Sequence, residues 1–92
     1  MSEITVTSLE DGRYAVRVRQ GTATTNHTVT VPQELVEELG LHGVDGCAIV
    51  EASFAFLLER EPATSILADF PLDVIARYFP EFDAELPGRL GV

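Results

Sequence analysis

The chain has no lysine and a single cysteine, Cys47. One cysteine excludes an internal disulfide and a cysteine-built zinc cage. No apolar run approaches about 18 residues, so no membrane-spanning helix is expected. "MSEITVTSLEDGR" shows no basic region followed by an apolar stretch, so no secretory signal is expected. Asn26-His27-Thr28 then matches a glycosylation sequon by chance, and the cytoplasm is the expected compartment. A phosphate-cradling glycine loop, a paired zinc motif and a nucleophile elbow are all missing. No cofactor and no catalytic residue are therefore expected, and the chain reads as non-enzymatic.

Cations are scarce and unevenly placed. Residues 1–31 balance Glu3, Glu10 and Asp11 against Arg13, Arg17 and Arg19. Residues 32–92 set twelve acids against Arg60, Arg77 and Arg89, so the net charge of −9 resides there. Such a surface repels phosphate backbones and counts against nucleic acid as a partner.

Apolar residues make up 46% of the chain, enough for one globular core. A chain of 92 residues is too short for two. Residues 1–92 are therefore read as a single domain.

Alternation dominates the first third. Ile4 and Val6 alternate with Thr5 and Thr7; Tyr14, Val16 and Val18 alternate with Arg17 and Arg19. His27, Val29 and Val31 share a face opposite Thr28 and Thr30. Asp11-Gly12 suits a tight hairpin turn, because both residues tolerate positive φ, and Gln20-Gly21 permits a second. Three strands follow, at about 3–9, 13–20 and 23–31, as an antiparallel meander with one apolar face. A sheet this small needs a cover.

The cover is expected from three helices. Pro32 suits the first position of a helix over about 32–40, with Leu35, Val36 and Leu39 as its stripe and Gly40 as its stop. "DGCAIVEASFAFLLERE" supports two readings. Asp45 caps a helix over about 46–60 with Cys47, Val50, Phe54, Leu57 and Leu58 on one side. Alternatively, "CAIVEA" and "FAFLLER" form a hairpin turning near Ser53. The helix is preferred, because Ser53 offers weak turn chemistry and no Gly or Pro interrupts the run. A third helix is expected over about 71–79, closed by Pro80. From about 81, "EFDAELPGRLGV" reads as a frayed acidic tail. The fold class is α+β, with the helices packed on one face.

Residues 28–41, "TVTVPQELVEELGL", resemble the strand–helix of AbrB-type swapped-hairpin regulators and antitoxins. That resemblance implies a dimer that binds DNA with basic residues near its turns. Those proteins continue through a Gly-Asp turn into further strands, which "HGVDGCAIVEA" imitates loosely, and no basic residues stand near the turns after position 19 until Arg60. The whole chain, through "SFAFLLEREPATSIL" and "RYFPEF", also resembles small bacterial proteins to which no function attaches.

Several constellations have competing explanations. Cys47 with His27 or His42 has the residue types of a nucleophile and base, but a cysteine on an apolar stripe is a small hydrophobe. Glu34, Glu38 and His42 would align on a prolonged helix, yet Gly40 opposes that prolongation and no metal is expected. Thr5, Thr7, Arg17, Arg19, Thr28 and Thr30 should project away from the helices. A ribbon of Arg and Thr can read a major groove, and it is equally what an exposed sheet face carries. Tyr78, Phe79 and Phe82, interleaved with acids, either dock a partner or second subunit or fold back onto the core. The expected function is a small interaction module, monomeric or dimeric, with a protein partner or a second copy of itself. A DNA-binding regulator or antitoxin using Arg17 and Arg19 is the alternative, and an accessory subunit of an enzyme is the third.

Overall fold

A computed structural model describes residues 2–91. Strands β1 (Ser2–Ser8), β2 (Arg13–Gln20) and β3 (Ala23–Thr30) form the meander. Asp11 and Gly12 sit at φ 57° and 72°, as a tight reversal requires. Leu9 N–H donates to the Arg13 carbonyl at 2.8 Å and closes this hairpin. Pairing sets Ile4 beside Val18, Val6 beside Val16, and Val16 beside His27. The inner face is thus mainly apolar, interrupted on β3 by Thr25 and His27, and Val16, Val18 and Val29 are buried. On the outer face Thr5, Thr7, Arg13, Arg17, Arg19 and Asn26 are all exposed.

Helix α1 (Gln33–Glu38) follows, and Gly40 at φ 66° ends it. Leu41 N–H then reaches back to the Val36 carbonyl at 2.9 Å. Pro32 is the N-cap residue at ψ 141° rather than the first helical residue, so the helix starts one residue later than expected. Helix α2 (Gly46–Leu58) is the central cover. Asp45 caps it by accepting from Cys47 N–H at 2.9 Å. Ile49, Val50, Phe54, Phe56 and Leu57 face the core. Ser53, the residue a hairpin would have turned on, is fully buried and donates to the Ile49 carbonyl at 2.7 Å.

Three expectations need correction. The sheet has four strands, because β4 (Asp69–Pro71) pairs parallel to β3 with Val29 beside Phe70. Three residues are too few to show a period. Pro71 fits there because an edge strand tolerates a missing N–H. The helix expected over 71–79 shrinks to α3 (Val74–Tyr78), since β4 takes its start. The expected frayed tail is helix α4 (Phe82–Arg89), so the described residues hold four helices rather than three, besides a 3₁₀ turn at Ala63–Ser65. Acids in its first turn and Arg89 in its last suit the helix dipole. Phe82 and Leu86, four apart, are both 0% exposed, and this burial outweighs the interior Pro87.

Gly46 holds a close approach. A Cβ there would overlap the Tyr14 hydroxyl and lie 2.5 Å from Cζ. Gly46→Ala should therefore push the Tyr14 ring off α2 and destabilise the domain by about 1–3 kcal/mol, the usual cost of overpacking. In a Tyr14→Ala background the same change should be neutral or stabilising, because only the helix propensity of alanine remains. Equal losses in both backgrounds, read from denaturant melts, would contradict this contact.

Candidate functional site

The end of α2, the segment around Ile66 and Leu67, β4 and α3 enclose an apolar groove of about 290 Å³. Leu57, Ile66, Phe70 and Ile75 are buried on its floor and Phe79 is half-buried. Leu67 and Tyr78 stand on the rim, 51% and 70% exposed. Glu61 and Ser65 supply its polar margin.

His27 positions the Leu67 wall. It is buried on β3, against the Phe54 ring at 5.3 Å. Its Nδ1 lies 2.7 Å from the Leu67 carbonyl. A carbonyl only accepts, so Nδ1 bears a hydrogen and donates. Nε2 lies 2.8 Å from the Thr25 hydroxyl. Both ring nitrogens are thus engaged, and His27 ties the segment before β4 to the sheet.

The floor is braced from behind. Phe82 meets Phe56 edge-on at 5.2 Å, and Phe79 meets it at 6.1 Å. The Arg60 guanidinium lies 3.6 Å from the Phe56 ring centroid. Arg60 also pairs with Glu85 at 3.0 Å and with Glu81 at 3.6 Å, while Arg89 pairs with Glu59 and Glu85. The Arg89 hydrogen bond holds the Glu59 carboxyl below its ordinary range. This cluster binds α4 to α2 and occupies two of the three cations of the acidic part. Arg13, Arg17, Arg19 and Arg77 make no ion pair among the described residues.

The residues singled out from sequence divide accordingly. Tyr78 and Phe79 line the groove. Phe82 does not: it is 0% exposed, and a partner cannot reach it. Arg17 and Arg19 lie on the uncovered sheet face, cross-strand from Thr5 and Glu3. Leu67, Ile66 and Phe70 were not singled out. No period marks them, because "TSILADF" lies between Pro62 and Pro71 and is too short to show one. Cys47 is half-buried. The Tyr14 pKa is pushed up by burial, with Cys47 and Asp45 nearby. α1 ends at Glu38 and does not carry Glu34, Glu38 and His42 as one helical row. Among the described residues, no group of three or more His, Cys, Asp or Glu side chains is placed to hold a metal. No described helix is long and apolar enough to cross a membrane. Compared with family models, curated proteins and solved structures, the chain matches none.

Proposed function

We propose that the chain is a non-enzymatic protein-interaction module that receives an apolar segment with basic flanks in the groove beside α3. The observation that carries this reading is the pair of exposed apolar side chains, Leu67 and Tyr78, over a packed apolar floor. Isolated exposed apolar residues are common, but two beside a concave apolar surface support reading it as a docking site. The volume is just under the ~300 Å³ at which small-molecule sites begin, and it suits a few anchoring side chains better than a cofactor. A tyrosine at the rim adds contact area at low entropic cost, as interface anchors do. The net charge of −9, concentrated in the helical half, favours basic flanks in the partner.

A second reading rests on the uncovered sheet face. Arg13, Arg17 and Arg19 there have no acidic partner within ion-pair distance among the described residues, and they are half of the chain's six cations. That stripe is the surface a DNA-binding regulator or antitoxin would use.

Selection from a displayed random peptide library tests the first reading. Apolar peptides with basic flanks should be enriched. Their binding should fall at least about tenfold on Leu67→Asp or Tyr78→Ala, both exposed, with the melting temperature unchanged. No enrichment, or binding indifferent to both substitutions, would refute the groove as the docking site. A discrete gel shift with genomic fragments, lost on Arg17→Ala with Arg19→Ala, would favour the second reading instead.

A further inference from the structure

The two edges of the sheet differ. β4 is three residues long and contains Pro71, two devices that discourage further pairing. β1 is seven residues long with continuous register, no proline, and Glu3 as its single charge. It lacks the usual protections of an exposed edge.

The hydrogen-bond phase of β1 follows from its hairpin. The bond from Leu9 N–H to the Arg13 carbonyl makes Leu9 and Arg13 a bonded pair, while Ser8 faces Tyr14 in the register. Bonded and non-bonded pairs alternate in an antiparallel ladder. Glu3, Thr5 and Thr7 therefore bond to β2. The N–H and C=O groups of Ser2, Ile4, Val6 and Ser8 point away from it. No other described backbone group hydrogen-bonds to these four residues.

We infer that β1 pairs antiparallel with β1 of a second copy, about a twofold axis through Thr5, to form one continuous sheet across a homodimer. Only this register places Ile4 opposite Val6 of the partner strand and Ser2 opposite Ser8, so every outward N–H and C=O finds a partner. The apolar Ile4 and Val6, half-buried in the monomer, then meet on the inner face. Glu3 falls opposite a threonine, Thr7, and the acidic side chains of the two strands are kept apart. A self-complementary strand is what an isologous interface requires. Because the β4 edge is blocked, pairing stops at two copies and does not propagate into a filament. The grooves lie at the far ends of this sheet, so the inference stands apart from the docking reading.

Cross-linking tests the register. In a Cys47→Ser background, Thr5→Cys should form an intermolecular disulfide readily, because Thr5 faces its own copy in a non-bonded pair with Cα atoms about 4.5 Å apart. Thr7→Cys, equally exposed on the same face, lies opposite Glu3 and should not. In sedimentation the wild type should be a dimer in the micromolar range. Thr5→Asp should weaken it about tenfold or more, since two carboxylates then meet at the axis. That aspartate would stand beside Arg17, so folding should survive it. A monomer at all concentrations, or equal cross-linking by Thr5→Cys and Thr7→Cys, would overturn the inference.

Discussion

Ending the chain at Pro80 should abolish or severely lower its thermal transition, equally at every protein concentration. Phe82 and Leu86 are 0% exposed, and their removal leaves Phe56 open to water on the side where Phe82 met it. Truncating a buried phenylalanine costs about 3–5 kcal/mol and a buried leucine about 2–5. A domain's entire stability is about 5–15 kcal/mol. Arg60 would also lose Glu81 and Glu85 and lie stacked on Phe56 with Glu59 as its remaining acidic partner. Phe82→Ala in the full chain is the milder version and should cost about 3–5 kcal/mol in a denaturant melt. These residues pack within their own chain, so the loss should not depend on concentration, unlike a loss at a subunit interface. An unchanged melting temperature after truncation would refute the packing of α4.

The parts of the fold legible in the sequence were those with a repeating period. Alternation in "EITVTS" and "YAVRVRQ", broken by Asp11-Gly12, is enough to specify a hairpin and its inner face. Asp45 followed by thirteen residues without proline specifies α2, and the burial of Ser53 removes its rival. What stayed illegible was short or propensity-poor. β4 is held by a parallel ladder to β3, bracketed by Thr28 N–H to the Ala68 carbonyl at 2.7 Å and Leu72 N–H to the Thr30 carbonyl at 2.9 Å. Nothing in Asp-Phe-Pro announces that pairing. α4 carries Pro87 and Gly88 where helices weaken, and its anchor Phe82 counts only once Phe56 is known to lie against it.

The lining of the groove was legible only in part. Aromatic residues in "RYFPEF" left docking and core packing both open; Tyr78 and Phe79 line the groove, whereas Phe82 folds back onto the core. Pro80 separates α3 from α4, so a single helical phase could not be carried across it. The latch from His27 to Leu67 spans 40 positions, and no local spacing reveals a contact of that range. The outer sheet face was legible because strand alternation fixes it, and Arg17 and Arg19 point where the period puts them.

Val50→Pro should unfold the domain, and a neighbouring substitution shows why. Val50 lies inside α2 and is 0% exposed. Proline there removes the N–H that bonds four residues back and sets its ring against the Gly46 carbonyl, a cost of about 3 kcal/mol or more. The valine side chain is lost from the core as well, adding a cavity cost. Ala48→Pro, two residues earlier, falls in the first turn, where the N–H has no partner within the helix. It should therefore cost far less. Far-UV circular dichroism across a thermal ramp should show Val50→Pro unfolded, or nearly so, where Ala48→Pro still melts cooperatively. The contrast depends on a helix that starts at Gly46 and runs through position 50. Equal behaviour of the two variants would mean that residues 46–58 do not form that helix, and the hairpin reading of "CAIVEA" and "FAFLLER" would return.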